Sequence, residues 1–132
     1  MIIYSDDKVL DAKYVAEVFK GSGIRRPFED LERIQRMIDN SDIVLSAWKD
    51  GKMIGVARAL TDFSYCCYLS DLAVVESYQQ HGVGRELVKQ LQAKLGDECS
   101  LVLLSAPGAI DYYQRLGFDR VDNAFVIKRK NN

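Results

Sequence analysis

The stretch "VVESYQQHGVGREL", Val74 to Leu87, decides how the rest of the chain is read. An apolar strand runs through a short turn into two glycines one residue apart, and an amphipathic helix begins at once. Glycines placed there let backbone N–H groups approach a ligand closely. The helix N-terminus that follows carries partial positive charge, so the ligand that suits it is an anion. The segment lacks the G-x-x-x-x-G-K-[ST] spacing of a phosphate loop. It also lacks the third glycine of a dinucleotide fingerprint and does not follow the first strand. A bare G-x-G also occurs in plain tight turns, so the anion has to be identified from the remainder of the chain.

The 132 residues fit one domain, 1–132, with a single core. Composition is that of a globule, 48% hydrophobic and 28% charged, with a net charge of −1. Basic residues are spread along the chain apart from the short "KRK" at Lys128–Lys130, so no nucleic-acid partner is expected. The first residues read as neither a signal peptide nor a membrane span, and a cytoplasmic protein is expected. Three cysteines, two of them adjacent at Cys66 and Cys67, make a poor disulfide framework. With His81 the only histidine and no C-x-x-C, no metal is expected.

Periodicity sets the element order. Met1–Tyr4 reads as a strand, and Ser5, Asp6 and Asp7 offer N-caps for a helix to about Lys20. After the loop "GSGIRRPF" a second helix starts near Glu29 or Asp30, with Leu31, Ile34, Met37 and Ile38 on one face. "IVLSAW" and "MIGVARAL" flank Asp50-Gly51 as a hairpin, and "YCCYLSDLAVV" is a third strand. Val83, Leu87, Val88, Leu91 and Leu95 line the next helix, and "LVLLS" at Leu101–Ser105 reads as a buried strand. Ala109–Leu116 forms a short helix, and "FDRV" with "AFVIKR" is expected to close the chain as a hairpin. Hairpins followed by a βαβ crossover imply an α/β (α+β) fold, a mixed sheet with helices on both faces.

Two segments then carry a family resemblance. "LAVVESYQQHGVG", Leu72 to Gly84, resembles the acetyl-CoA signature of the GCN5-related N-acetyltransferases (GNAT), in which [R/Q]-x-x-G-x-[G/A] opens a helix after an L-x-V strand; Gln79, Gly82 and Gly84 stand at those positions. "AIDYYQRLGF", Ala109 to Phe118, is similar to the family's A-x-x-F-Y-x-K-x-G-F segment. The resemblance covers essentially the whole chain. It implies the GNAT fold, with about six to seven strands in the central sheet and about four helices. It further implies an N-acetyltransferase that moves acetyl directly from acetyl-CoA to a primary amine of a small molecule such as an amino sugar, arylalkylamine or polyamine. A non-catalytic acyl-CoA-binding module is the alternative.

On this reading the anion is the pyrophosphate of coenzyme A, held by N–H groups from Gln80 through His81, Gly82, Val83 and Gly84 to Arg85, with Gln79 at the turn. The amide-rich pantetheine arm would pair with Leu72, Ala73 and Val74 like an added strand, and the Ala73 or Val74 N–H would polarise the thioester carbonyl. The resemblance places Tyr113 at the family's general-acid tyrosine. A phenol with a pKa of about 10 is protonated at neutral pH and can donate to a thiolate whose pKa is about 8.5; Tyr112 is the alternative donor. Asp71, just before Leu72, is a candidate base, with Tyr68, Asp62 and Glu29 as others. Where many relatives have an asparagine that bonds pantetheine, this chain has Ala106, with Ser105 beside it.

Acceptor sites in the family draw on the loop between the first two helices and on the turn before the central strand. Here these offer Arg25, Arg26 and Phe28, then Tyr65 and Tyr68. Two arginines suit a carboxylate or phosphate on the acceptor, or solvent. The resemblance also allows a homodimer, for which the apolar Ala124–Ile127 offers a sheet edge.

Overall fold

Asp50 and Gly51 turn the chain as their spacing predicts. Both have positive φ, 52° and 77°, the mirror-image turn that matches the twist of the flanking strands. In the computed structural model, which describes residues 1–132, they join β2 (Ile43–Lys49) to β3 (Lys52–Thr61). With β1 (Ile3–Ser5), β4 (Cys66–Val74) and β5 (Ser100–Val102) they form one five-stranded sheet in the order β1-β2-β3-β4-β5. The first three pairings are antiparallel and β4–β5 is parallel, as a crossover through a helix requires.

Alternation along β2 builds two cores. Ile43, Leu45 and Ala47 turn to α3 (Val83–Leu95), where Val83, Leu87, Val88, Leu91 and Leu95 are all buried. Val44 turns to the other face, against Val15, Val18 and Phe19 of α1 (Ala12–Ser22) and Ile34 and Ile38 of α2 (Leu31–Asp39). Each such side chain contributes roughly 1.5–3 kcal/mol, so the two faces hold the sheet as a three-layer unit. A short α4 (Ile110–Arg115) follows β5. No helix is long and apolar enough to cross a membrane.

Three expectations are corrected. The cap of α1 is Asp11, whose side chain accepts from the Lys13 N–H, rather than Ser5–Asp7. The sheet has five strands, not six or seven, because residues 119–132 pair with nothing and the expected final hairpin does not form. For the same reason β5 is an edge strand rather than a buried one. Leu101 and Leu103 pack on the α3 core, whereas Val102 and Leu104 are 48% and 51% exposed.

One irregularity positions the site. Arg58 pairs with Asp71 but Ala59 pairs with Leu69, so Ser70 bulges out of the β3–β4 ladder without a partner. Pairing between β4 and β5 covers only Cys66, Cys67 and Tyr68. Beyond the bulge, β4 therefore has a neighbour on one side only, and a slot opens beside Leu72–Val74.

Candidate active site

The slot leads to the start of α3. Gln80 and Gly82 both take the left-handed conformation, with φ of 67° and 81°, which turns the chain sharply into the helix. Glu86 is bonded back to the Gly82 carbonyl at 3.0 Å. The N–H groups of Val83, Gly84 and Arg85 therefore lie ahead of the helical ladder with no intrahelical acceptor. Slot and helix start share one cleft of about 710 Å³, within the usual range for small-molecule sites. Leu72, Val74 and Leu116 line its apolar part; Gln80, Gly82 and Arg85 line its polar end. An apolar trough that ends on free N–H donors fits a long ligand with an anionic end.

Two tyrosines of α4 close the cleft. Tyr113 is fixed edge-on between Tyr112, 5.3 Å away between centroids, and Phe118 at 5.7 Å. Burial is the main cause that raises its pKa above the ordinary 10, aided by Tyr112 and Asp71 and opposed by Arg26. The phenol is thus held protonated, able to donate. Tyr112 packs on the helix start: a Cβ on Gly84 would lie 2.0 Å from its hydroxyl oxygen. Burial also raises the Tyr112 pKa, against the pull of Arg85 and Arg115.

Behind the slot lies a charged cluster. Asp71 is 1% exposed, with Arg26 Nε donating to one carboxylate oxygen and Arg58 Nε to the other at 2.5 Å. Arg58 also donates to Ser41 Oγ at 3.3 Å and Ser70 Oγ at 2.8 Å. Arg26 Nη2 takes the Ser70 carbonyl at 2.7 Å, the group of the bulged residue, and Nη1 takes the Arg25 carbonyl. Arg26 thereby ties the α1–α2 loop to the bulge in β4.

The model of the acetyltransferase (GNAT) family matches residues 11–118. The chain belongs to the GNAT acetyltransferase family. It is 29% identical over 123 residues to an uncharacterized N-acetyltransferase, ycf52-like, of Prochlorococcus marinus, covering 88% of this chain and 67% of that one. Against two further curated relatives it spans 54% and 56% of their length. A Staphylococcus aureus structure described as a probable acetyltransferase shares the fold at a TM-score of 0.84 and 17% identity, over 98% of this chain and 100% of that one. So does the aminoglycoside N-acetyltransferase AAC(6')-Iy in complex with CoA, at 0.74 and 16%, over 99% and 96%.

Within this GNAT domain the residues named from sequence fall into groups. Leu72, Val74, Gln79, Gln80, Gly82, Val83, Gly84, Arg85 and Tyr113 line the cleft together. Ala73 turns its side chain to the α1–α2 core, leaving only its backbone on the strand beside the slot. His81 is exposed outside the lining and faces Tyr78, 6.0 Å between ring centroids. The Gln79 amide is spent on structure, donating to the carbonyls of Val74 at 2.8 Å and Ser22 at 3.3 Å. Arg85 donates to the Arg115 carbonyl at 3.1 Å.

The acceptor residues are not gathered in the cleft. Arg25 is exposed, Phe28 packs half-buried on the α1–α2 core, and Tyr65 and Tyr68 are 78% and 40% exposed. Only Arg26 reaches the electrostatic surroundings of Tyr113. Asp71, expected as a base, is walled in: its side chain has no exposure and both oxygens face guanidinium groups, so an amine cannot touch it. Sequence reading missed Arg58 and Arg115. A lone arginine in the apolar run "GVARAL" must be paired if that strand is buried, and Arg115 follows Tyr112 at helical i, i+3 spacing, which puts both on one face.

Proposed function

We propose that this chain is an acetyl-CoA-dependent N-acetyltransferase that passes acetyl directly to a primary amine of a small molecule. The observation that carries this reading is the single cleft in which the unpaired edge of β4, the free N–H groups of α3 and the Tyr113 phenol meet. When bound, acetyl-CoA supplies an activated thioester carbonyl. The N–H groups of Val83–Arg85 hold its pyrophosphate and the Leu72–Val74 edge holds its amide-rich arm; of the two candidate N–H groups, Val74 polarises the carbonyl, because Val75 donates to the Ile54 carbonyl of β3 and alternation turns the Ala73 N–H the same way. Tyr113, kept protonated by burial, gives its proton to the departing thiolate.

Asp71 is a positioning residue on this reading. It holds Arg26, and through Arg26 the loop that borders the acceptor side. The acceptor amine enters past that loop, with the exposed Arg25 and Tyr68 as the residues nearest to hand among those named from sequence, and releases its proton to water. Amino sugars, arylalkylamines and polyamines all fit so open an approach.

Wild type and Tyr113→Phe are each mixed with acetyl-CoA and a panel of amines while free thiol is followed. Amine-dependent release that falls about 10²- to 10⁴-fold in the variant, with acetyl-CoA binding retained, is the expected result. Absence of acetyl-CoA binding refutes the reading. Binding without turnover on any amine replaces it with a non-catalytic acyl-CoA-binding module.

A further inference from the structure

Part-exposed apolar side chains stand in register across three strands of the sheet. Leu60 of β3 pairs with Tyr68 of β4, and Tyr68 pairs with Val102 of β5, so the three share one face. That face is the α1–α2 side, since their strand neighbours Ala59, Leu69 and Leu101 pack on the α3 core. Leu104 extends the row beyond Val102, with Leu103 between them on the α3 core. All four are between 40% and 51% exposed. Helices α1 and α2 bury Met53, Val56 and Ala73 on this face, but from Leu60 and Tyr68 onward it is open.

The row runs up to the site. Leu60 follows Arg58 by two residues on the same face of β3, which is about 7 Å along the strand. Arg58 and Arg26 hold Asp71 there, and both Arg26 and Asp71 act on the Tyr113 phenol. Between Tyr68 and Asp71 lies the Ser70 bulge, where β4 parts from β5 and the slot opens. A molecule lying on the row therefore reaches the mouth of the slot from the face opposite α3 and its free N–H groups.

Charge decides what that molecule is. Arg26 and Arg58 take both oxygens of the buried Asp71, and Arg25 stands beside them in the loop. Glu29 and Asp30 lie farther along that loop, Asp30 as the cap of α2. The mouth is therefore positive. It favours the neutral form of an incoming amine, as attack on a thioester requires, and it repels an acceptor that carries further ammonium groups. At the other end of the row the Asp62 carboxylate is occupied by the N–H groups of Ser64, Tyr65 and Cys66. Those bonds pin the β3–β4 turn, where Phe63 is held at a φ of 59° and stays half open to solvent. A bulky residue rarely keeps that conformation unless its surroundings impose it.

We propose that the acceptor is a monoamine with a flat apolar body, an arylalkylamine, whose ring lies on the Leu60–Tyr68–Val102 row with its amine at the Ser70 bulge. The proposal rests on the acetyltransfer reading of the cleft and narrows its acceptor. Shape alone admits several amines, and the chemistry of the approach selects among them. The row favours an aromatic ring, which stacks on Tyr68 and packs on Leu60 and Val102. The arginines act against polyamines and against amino sugars with several ammonium groups.

Amine binding is measured first, by NMR titration of the full chain with coenzyme A added, where no turnover is needed. Phenethylamine is expected to shift the signals of Leu60, Tyr68 and Val102, and spermidine to leave them unmoved. In steady-state thiol release, kcat/KM for phenethylamine is expected to exceed that for ethylamine and for spermidine by at least about 10-fold. Leu60→Ser and Tyr68→Ser, their folding checked by circular dichroism, bring that ratio close to unity while the KM for acetyl-CoA holds within about twofold. Val102→Glu, which sets a negative charge on the row, moves the preference towards spermidine. Shifts at the row without thiol release from any amine support the row as the amine's seat and remove the acetyltransfer reading alone. No shifts at the row, a ratio that the serine variants leave unchanged, a wild-type preference for spermidine, or row variants that alter self-association in sedimentation but not kcat/KM overturns the proposal.

Discussion

Gly84→Ala puts the contact between α4 and α3 to a quantitative test. Gly84 lies in the first turn of α3, where alanine suits the backbone and favours the helix by up to about 1 kcal/mol. Space opposes it. The added Cβ would lie 2.0 Å from the Tyr112 hydroxyl oxygen and 3.3 Å from the Cζ carbon that bears it. The ring cannot simply slide, because it stands edge-on to Tyr113 at 5.3 Å. Overpacking of this kind costs about 1–3 kcal/mol, so the net effect is a loss of about 0–2 kcal/mol once helix propensity is set against it. In Tyr112→Phe the oxygen is gone and the nearest atom is the ring carbon, a tight but tolerable contact. There the same alanine is expected to be neutral or stabilising by up to about 1 kcal/mol. Urea denaturation of the four proteins gives the coupling directly, expected at about 1–3 kcal/mol. Additivity within about 0.5 kcal/mol would show that Tyr112 does not pack on the helix start, and the reasoning would fail.

Two other outcomes follow from the charges. Arg58→Met leaves Asp71 buried against one arginine instead of two and is expected to cost about 1.5–3 kcal/mol, the range for losing a hydrogen bond to a charged group, of which Arg58→Met/Asp71→Asn recovers part by removing the charge; equal losses in both variants by chemical denaturation would contradict this. Asp62 accepts the N–H groups of Ser64, Tyr65 and Cys66, which lowers its pKa from 3.8 to about 2. Because the folded value lies below the unfolded one, its contribution to stability is complete above pH about 4 and disappears as pH falls towards 2. An NMR titration of the Asp62 carboxyl with a midpoint near 4 would refute that cause.

What the sequence made legible is what local chemistry controls. The Asp50-Gly51 turn, the α3 stripe from Val83 to Leu95 and the Gly82-x-Gly84 helix start all follow from φ preference and periodicity, and the structure has each of them. Contacts made at a distance along the chain were hidden. Asp71 beside Leu72 reads as a carboxylate near the cofactor strand; only the fold brings Arg26 and Arg58 onto its two oxygens, from 45 and 13 residues away. Gln79 matches a motif position, yet its amide is engaged by Val74 and Ser22 across a turn that sequence spacing cannot place. The final hairpin was misread for a related reason. "FDRV" and "AFVIKR" have the right alternation for strands, but alternation says that a segment wants a sheet, not whose sheet it joins. That residues 119–132 stay unpaired although the outer edge of β5 is free is a property of the whole fold, and alternation within the segment cannot report it.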